Sequence, residues 1–362
     1  MVFLNKGFIG SLPVMINDLL NGEVREALVI GIGGGGDVIG SIPTYRLLSS
    51  EGVETHIGAV LWERYVNDIV PGPIRISELR NAEALGNYTA ILTSESYAIR
   101  AGKVVVPQLV NVLKVINDDG VGISISGPVS SVAAELAEYV NREGIDAVFG
   151  VDVGGDVLGL GMEEDLWSPL TDSYSVAVLA TLRRLTNVPV VLGIAGPGVD
   201  GELKANYVLR RISELAGKGA YLGAHGMTRE DASVISSILE IAMTEASRLM
   251  YEAFRGFHGE YVMRGGTRSA RVDISSTITY YIDLEAALPE LPLARALMDA
   301  EDPWDAMRRL NSMGVYTELN FEEEVYRFYL NNNRLPNPHE LMGIVQKLRA
   351  SIASARQHSS GS

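Results

Sequence analysis

Residues 27–40 read ALVIGIGGGGDVIG and pass from an apolar run into a dense glycine run and then to an aspartate. The apolar part is free of polar side chains, which predicts a buried parallel strand. A strand followed by glycines and the start of a helix can bind phosphate, because glycine amides approach an oxyanion with no Cβ in the way. The predicted phosphate-binding residues are therefore Gly33, Gly34, Gly35 and Gly36. The Walker pattern is absent, since no Lys-Ser or Lys-Thr pair follows these glycines, and this argues against a P-loop kinase or GTPase.

The alternation of apolar and amphipathic segments continues on both sides of this loop. Between about residues 25 and 227, apolar runs alternate with segments of helical periodicity. Such alternation predicts right-handed crossovers and an α/β fold with a doubly wound, mainly parallel, Rossmann-like sheet. The predicted strands are residues 27–33, 55–61, 89–93, 122–126, 147–153, 189–195 and 220–224.

The last third of the chain has a different pattern. Residues 1–227 are predicted to form the α/β core, and residues 228–353 a mainly helical region packed on that core. A polar, β-branched stretch at residues 275–280 lies between the predicted helices. The polar tail at residues 354–362 is predicted to be disordered.

A second glycine loop repeats the first. Residues 148–159, VFGVDVGGDVLG, match residues 29–40, VIGIGGGGDVIG, at seven of twelve positions. Two glycine-rich turns can resemble each other by chance, but two equivalent loops at one end of the sheet would face a single site from two sides. On the second interpretation, Gly154 and Gly155 extend the phosphate-binding surface.

Aspartates follow the glycines at three strand ends. Asp37, Asp156 and Asp200 take this position, and Asp152 lies at the end of the strand that precedes the second loop. Carboxylates placed there would hold Mg²⁺ or Mn²⁺ against a phosphate, or would activate a hydroxyl or a water molecule. Simple helix capping is the alternative role for Asp37. All four aspartates are predicted metal ligands, and Asp37 and Asp156 are also predicted catalytic residues.

Further candidates lie where the predicted strands end, which is where ligands bind in an open parallel sheet. Trp62 would stack on a base, Glu63 would bind ribose, and Arg64 would pair with phosphate. Ordinary packing is the alternative role for Trp62. His225, at the end of what is predicted to be the last strand of the sheet, would act as an acid or a base, although a single histidine is often structural. The remaining candidate binding residues are Ser126 and Gly198.

Composition narrows the possible functions. The chain has 362 residues, no cysteine, and 30 basic against 45 acidic residues, for a formal charge of −15. Without cysteine there can be no disulfide, thiolate metal site or cysteine nucleophile. The acidic balance argues against a nucleic-acid partner, and no apolar run approaches the length of a membrane span. We expect a cytoplasmic protein whose partner is a small phosphorylated molecule, and the sequence leaves a homo-oligomer open.

Several motifs in one order resemble the domain-of-unknown-function 1152 family, which is largely archaeal. They are residues 33–40 (GGGGDVIG), Trp62-Glu63-Arg64 with Pro71-Gly72-Pro73 downstream, residues 150–159 (GVDVGGDVLG), Ser168-Pro169 and residues 196–203 (GPGVDGEL). The resemblance spans roughly residues 25–320. It implies a single cytoplasmic α/β protein from an archaeal source, and it carries no activity or catalytic residue over to this chain.

Three functional hypotheses remain open at this point. The first is an enzyme that uses Mg²⁺ or Mn²⁺ on a phosphorylated or nucleotide-like ligand, by phosphoryl or glycosyl-phosphate transfer or by hydrolysis. The second is an oxidoreductase with a dinucleotide such as NAD or FAD, because Gly31, Gly33 and Gly36 meet the G-x-G-x-x-G spacing. A run this rich in glycine meets that spacing almost automatically. The third is a nucleotide sensor or assembly protein without catalysis.

Overall fold

The computed structural model describes residues 24–266 and 268–359, without the side chains of residue 265 and residues 353–359. Twelve strands lie in this part of the chain. They are β1 (Glu26–Gly31), β2 (Glu54–Val60), β3 (Leu79–Ala84), β4 (Thr89–Arg100), β5 (Lys103–Val105), β6 (Gly120–Ile123), β7 (Ala147–Val153), β8 (Val190–Ala195), β9 (Tyr221–Gly226), β10 (Gly259–Met263), β11 (Arg268–Val272) and β12 (Ile278–Asp283).

Ten of these strands form one mixed sheet with a parallel centre. The order is β3-β4-β6-β2-β1-β7-β8-β12-β9, with β5 beside β4, and β10 pairs with β11 in a separate hairpin. Strands β6, β2, β1, β7 and β8 are parallel. From β1 the chain moves outward through β2 to β6, and it then returns to place β7 and β8 on the other side of β1. This reversal of direction puts a crevice between the carboxyl ends of β1 and β7, where doubly wound sheets bind ligands.

The α/β fold and the seven predicted strands are confirmed, but the order of the last strands is not as expected. Strand β12 lies between β8 and β9 and is antiparallel to both. It comes from the polar stretch after residue 275, and it places β9 at the edge of the sheet. His225 therefore lies on an edge strand, and β9 is not the last strand of the chain to enter the sheet.

Helices cover both faces of the sheet. They are α1 (Asp37–Gly40), α2 (Ile42–Ser50), α3 (Gln108–Ile116), α4 (Val129–Glu143), α5 (Pro169–Thr186), α6 (Ala205–Ala216), α7 (Arg229–Leu239), α8 (Ala246–Phe254), α9 (Leu284–Ala287), α10 (Pro292–Ala296), α11 (Pro303–Ser312), α12 (Glu318–Asn332) and α13 (Pro338–Ser359). None of them is long and apolar enough to cross a lipid bilayer, within the residues that the structure describes.

Two apolar cores, one on each face, hold these layers together. Leu28 and Ile30 of β1 point into a core that includes residues of α4, α5 and α6. Ala27 and Val29, the alternate residues of β1, point into a second core with residues of α2, α3, α7 and α8. The C-terminal helices are divided between the two faces, because α10 and α11 contribute to the first core and α7 and α8 to the second.

The predictions for the two ends of the chain have different outcomes. Residues 1–23 of the predicted core lie outside the described residues. Helix α13 continues to Ser359, so it includes most of the tail that we expected to be disordered from residue 354. Alanine, arginine and glutamine in this stretch are good helix formers and extend the helix in spite of the polar composition. Residues 360–362 lie outside the described residues.

Candidate functional site

The loops after β1, β7 and β8 meet in the crevice between β1 and β7. The Val153 amide donates a hydrogen bond to Asp37 Oδ2 at 3.2 Å, which joins the first loop to the second. The Gly198 amide donates to the Gly154 carbonyl at 2.7 Å, which joins the second loop to the third. The three predicted Asp loops therefore converge on one place.

Asp37, Asp152 and Asp172 form what we call the first carboxylate set. One oxygen from each lies within 4.8 Å of the others, a geometry that could hold a metal ion. Backbone amides orient two of these side chains: Gly33 donates to Asp37 Oδ2 at 2.9 Å, and Val157 donates to Asp152 Oδ2 at 3.1 Å. The Oδ1 atoms of Asp152 and Asp172 are buried and have no hydrogen-bond partner. Each of these carboxylates thus keeps an oxygen for a ligand.

Asp156, Asp200 and Glu202 form the second carboxylate set, with one oxygen from each again within 4.8 Å of the others. Glu202 is well supplied with donors. Its Oε2 accepts from the amides of Trp167 and Ser168 at 2.7 and 2.8 Å, and its Oε1 accepts from Arg268 at 2.7 Å and from the Ser168 hydroxyl. Asp200 is different, because neither of its buried oxygens has a hydrogen-bond partner.

The helix that supplies Asp172 is fixed from the C-terminal region. Asp172 lies in the first turn of α5. Glu318, in the first turn of α12, accepts hydrogen bonds from the amides of Leu170 and Thr171 at 3.1 and 2.7 Å. These amides are among the groups that a helix N-terminus leaves unpaired, so Glu318 caps α5 from another element. This contact holds Asp172 against the first loop.

Burial and mutual repulsion make this site unfavourable for so many ionised carboxylates. Burial, followed by repulsion between neighbouring carboxylates, raises the pKa values of Asp37, Asp156, Asp172 and Asp200 well above their ordinary range. Burial also raises the pKa of Asp152 to about 6. A nearby cation would reverse these shifts, because opposite charge favours the ionised form.

The pKa of Glu202 moves the other way. Burial alone would raise it, but Arg268 and the donors at Ser168 and Trp167 outweigh burial and lower it. Glu202 is therefore ionised and already neutralised by protein groups, whereas its neighbours are not.

Both carboxylate sets adjoin a cavity of about 400 Å³. Asp37, Asp156, Asp172, Asp200 and Glu202 line it, and so do four arginines, Arg64, Arg248, Arg264 and Arg268. Burial, followed by the charge of Arg268, lowers the pKa of Arg264 to about 10. Positive and negative side chains thus face one another across a space of the size that small ligands occupy.

The predicted glycine loop forms part of the wall, with a different local structure from the one expected. Gly33, Gly34, Gly35 and Gly36 all line the cavity. The Gly33 amide is directed at Asp37, and helix α1 that follows has only four residues. A Cβ on Gly33 would lie 2.4 Å from Asp37 Oδ2 and 2.6 Å from Asp172 Oδ1. Glycine is therefore needed at this position to bring two carboxylates together.

Gly154 and Gly155 have a similar packing role. Gly154 has φ +118°, and a Cβ there would lie 2.3 Å from Asp200 Cγ. Gly155 has φ +97° and would meet Val208. The second loop thus allows the third loop, and with it Asp200, to approach closely.

Arg64 is the one member of the predicted Trp62-Glu63-Arg64 group that lines the cavity. Its guanidinium donates to the Gly33 carbonyl at 2.7 Å and lies 3.8 Å from Glu318. Trp62 is fully buried and donates to Glu322 at 2.9 Å. Glu63 is buried and accepts from the Gln108 amide at 2.9 Å. These contacts occupy Trp62 and Glu63 inside the protein.

Three other predicted residues do not line this cavity. The Ser126 hydroxyl accepts a hydrogen bond from Ser124 at the end of β6. Gly198 lines a neighbouring cavity beside α6. His225 Nε2 lies 3.9 Å from Asp231 Oδ2, on the edge strand β9.

Several residues that line the cavity or brace it are not among the predicted site residues. Asp172 and Glu202 complete the two carboxylate sets, and Arg248, Arg264 and Arg268 supply positive charge. The pair Ser168-Pro169 could have pointed to Asp172, because proline in the first turn marks a helix start, and the first turn of that helix is at the site. Glu202 follows Asp200 in the third glycine loop and could have been included with it.

The comparisons with known proteins identify a family. The chain matches the model of the family described as "Protein of unknown function (DUF1152)" over residues 28–326. A comparison with curated proteins found no match. The matched region contains both carboxylate sets, Arg64 and the first turn of α12. The chain belongs to the DUF1152 family.

Proposed function

We propose that this protein is a divalent-cation-dependent enzyme that acts on a small phosphorylated or nucleotide-like molecule, by phosphoryl or glycosyl-phosphate transfer or by hydrolysis. The observation that carries the proposal is the presence of buried carboxylate oxygens without donors, at Asp152, Asp172 and Asp200, beside a cavity that arginines also line. Buried charge of this kind is costly unless it is paired or coordinates a metal. Mg²⁺ and Mn²⁺ are the hard cations that carboxylate oxygens favour.

The arginines provide the second half of the argument. Arg64, Arg264 and Arg268 lie close enough that their charges disfavour one another. A phosphate between them and a carboxylate-bound cation would be stabilised from both sides, as developing charge is in phosphoryl transfer. In this arrangement the arginines orient the anion, and the carboxylates hold the cation or accept a proton from the attacking hydroxyl or water.

The dinucleotide alternative finds less support in the contacts around Glu63. An NAD-type site would need that carboxylate to face the ribose. Glu63 is instead 2% exposed and bonded to the Gln108 amide. We therefore propose the cation-dependent reaction and not the oxidoreductase.

The test compares the wild-type chain with Asp172→Asn and with Glu164→Gln, a matched loss of one acidic charge at an exposed position. We expect Mn²⁺-dependent release of phosphate from pyrophosphate or p-nitrophenyl phosphate by the wild type. Asp172→Asn should abolish this release and weaken Mn²⁺ binding to the first carboxylate set at least tenfold by calorimetry, while Glu164→Gln should match the wild type.

A folding control accompanies this experiment. Asp172→Asn removes one of several mutually repelling carboxylates, so the melting temperature of the metal-free variant should equal or exceed that of the wild type. The proposal fails if the wild-type chain binds no divalent cation, or if Asp172→Asn binds Mn²⁺ as tightly as Glu164→Gln does.

A further inference from the structure

The six acidic residues of the site are divided by geometry into two sets of three. Asp37, Asp152 and Asp172 meet in one group, and Asp156, Asp200 and Glu202 meet in the other. The two sets are adjacent, because the carboxylates of Asp152 and Asp156 act on each other across the boundary. One cation could not reach all six residues, since its ligand distances are only about 2.0–2.6 Å.

The second set has its own unbalanced charge. Glu202 is neutralised by Arg268 at 2.7 Å and by three groups of the 167–168 segment. Asp200 is 93% buried, lines the cavity, and has no partner for either of its oxygens. It packs so closely against Gly154 that a Cβ there would lie 2.3 Å from Asp200 Cγ. A buried carboxylate whose two oxygens have no hydrogen-bond partner is suited to bind a cation directly.

The first set has the same property independently. Asp152 and Asp172 each keep one buried oxygen without a partner, while backbone amides orient Asp37 and Asp152 through their other oxygens. Orientation of one carboxylate oxygen by an amide, with the other left for the ion, is the usual support for metal ligands. Each carboxylate set could therefore bind a cation without the other.

We propose that the site holds a pair of divalent cations, with Asp37, Asp152 and Asp172 binding one and Asp156, Asp200 and Glu202 binding the other. This inference rests on the proposed function and narrows its chemistry to in-line displacement at phosphorus. Paired cations about 3.5–4 Å apart stabilise both the attacking and the leaving oxygen of an in-line displacement at phosphorus.

In hydrolysis by this centre, the oxygen of a water molecule forms the new bond to phosphorus. The bond between phosphorus and the leaving oxygen breaks, and its electron pair stays on that oxygen. The attacking water loses a proton and the leaving oxygen gains one, so that one ester and one water give one alcohol and one phosphate. The arginines on the cavity wall, Arg64, Arg264 and Arg268, would bind the remaining phosphate oxygens.

The decisive experiment counts cations with Mn²⁺ as the probe on the full chain. We expect calorimetry to give two Mn²⁺ per wild-type chain and electron paramagnetic resonance to show an exchange-coupled pair. Asp200→Asn should bind one Mn²⁺ with an uncoupled signal, and Asp172→Asn should also bind one, at the other set. Glu164→Gln should keep both ions and the coupling.

Asp156→Asn is a second variant for the second set, in case Asp200→Asn is not folded by circular dichroism. A stoichiometry of one in the wild type, unchanged by Asp200→Asn or Asp156→Asn, would overturn the cation pair and leave a single-cation enzyme in place. Binding of no Mn²⁺ by the wild type would overturn both this inference and the proposed function.

Discussion

Asp200 and Glu202 are two residues apart, and both are buried at the same site, yet their electrostatic surroundings are opposite. Glu202 accepts hydrogen bonds from two amides, a hydroxyl and a guanidinium, and its pKa is lowered. Neither oxygen of Asp200 has a hydrogen-bond partner, and burial, followed by the charge of Glu202, raises its pKa against the smaller opposing effects of Arg268 and the Glu202 backbone. Glu202 is therefore an ionised member of the second carboxylate set that also fixes the 167–168 segment, whereas Asp200 keeps its oxygens for a ligand.

Sequence reasoning could find the aspartates that follow strands, and it missed those that reach the site from elsewhere. Asp37, Asp152, Asp156 and Asp200 lie at or just after strand ends, and the carboxyl ends of parallel strands share one edge. Asp172 follows β7 only after a long loop, and its place depends on Glu318, which caps α5 from a distant part of the chain. A contact between such distant residues has no local signature in the sequence.

The buried carboxyl group of Glu63 predicts how the stability of the protein depends on pH. Burial raises its pKa from 4.5 to about 7, and the charge of Asp68 adds to this, although Gln108 and Asn67 donate to it. The folded state therefore binds more protons than the unfolded state between these pH values. The ionisation of Glu63 therefore lowers the free energy of unfolding as pH rises from about 4.5 to 7.

Glu63→Gln should remove this pH-dependent cost. Near pH 5 the wild-type side chain is neutral, so the variant and the wild type should have similar free energies of unfolding in urea. At pH 8 the variant should be more stable by about 1 to 3 kcal/mol, since one pKa unit corresponds to about 1.4 kcal/mol. A difference that is the same at pH 5 and pH 8 would show that Glu63 does not titrate in this range.

At the scale of elements, β12 was the least predictable part of the fold. Its sequence, ITYYID, has the β-branched and aromatic residues of a strand. No local feature of the sequence predicts that this strand inserts between β8 and β9, antiparallel to both, after two helices and a hairpin. The parallel strands were easier, because each is a continuous apolar run next to an amphipathic helix.

Thr279, in the middle of this inserted strand, provides a test of the topology. It pairs with Ala195 of β8 and His225 of β9, is fully buried, and its hydroxyl has no hydrogen-bond partner. Thr279→Val removes that hydroxyl and keeps the side-chain shape, so we expect the free energy of unfolding to rise by about 1 kcal/mol. Chemical denaturation would measure this change.

The matched control is Thr277→Val, just before the strand. The Thr277 hydroxyl is also in a buried residue, but it donates to the Ile274 carbonyl at 2.8 Å. Its removal should lower the free energy of unfolding by about 1 kcal/mol. Equal effects of the two substitutions, in sign and size, would argue that Thr279 is not enclosed between β8 and β9.

At the scale of the whole molecule, the formal charge of −15 is distributed unevenly. Six of the acidic side chains meet at the two carboxylate sets, and five of the six are buried, so that salt screens them poorly. Two divalent cations would change the formal charge by +4, at the place where repulsion is greatest. The net charge of the working protein is then less negative than composition alone indicates.

This uneven distribution predicts different responses to specific and non-specific cations. Sodium chloride screens exposed charges but cannot replace a divalent cation bound to Asp200 or Asp172. Mn²⁺ at about 100 times its Kd should stabilise the folded state by about 2.7 kcal/mol for one site, which for a chain of this size raises Tm by roughly 4 °C. Sodium chloride at matched ionic strength should leave Tm nearly unchanged, and Asp172→Asn should reduce the Mn²⁺ shift. If sodium chloride reproduced the whole shift in differential scanning calorimetry, general screening would explain the stabilisation and the carboxylate sets would not be cation sites.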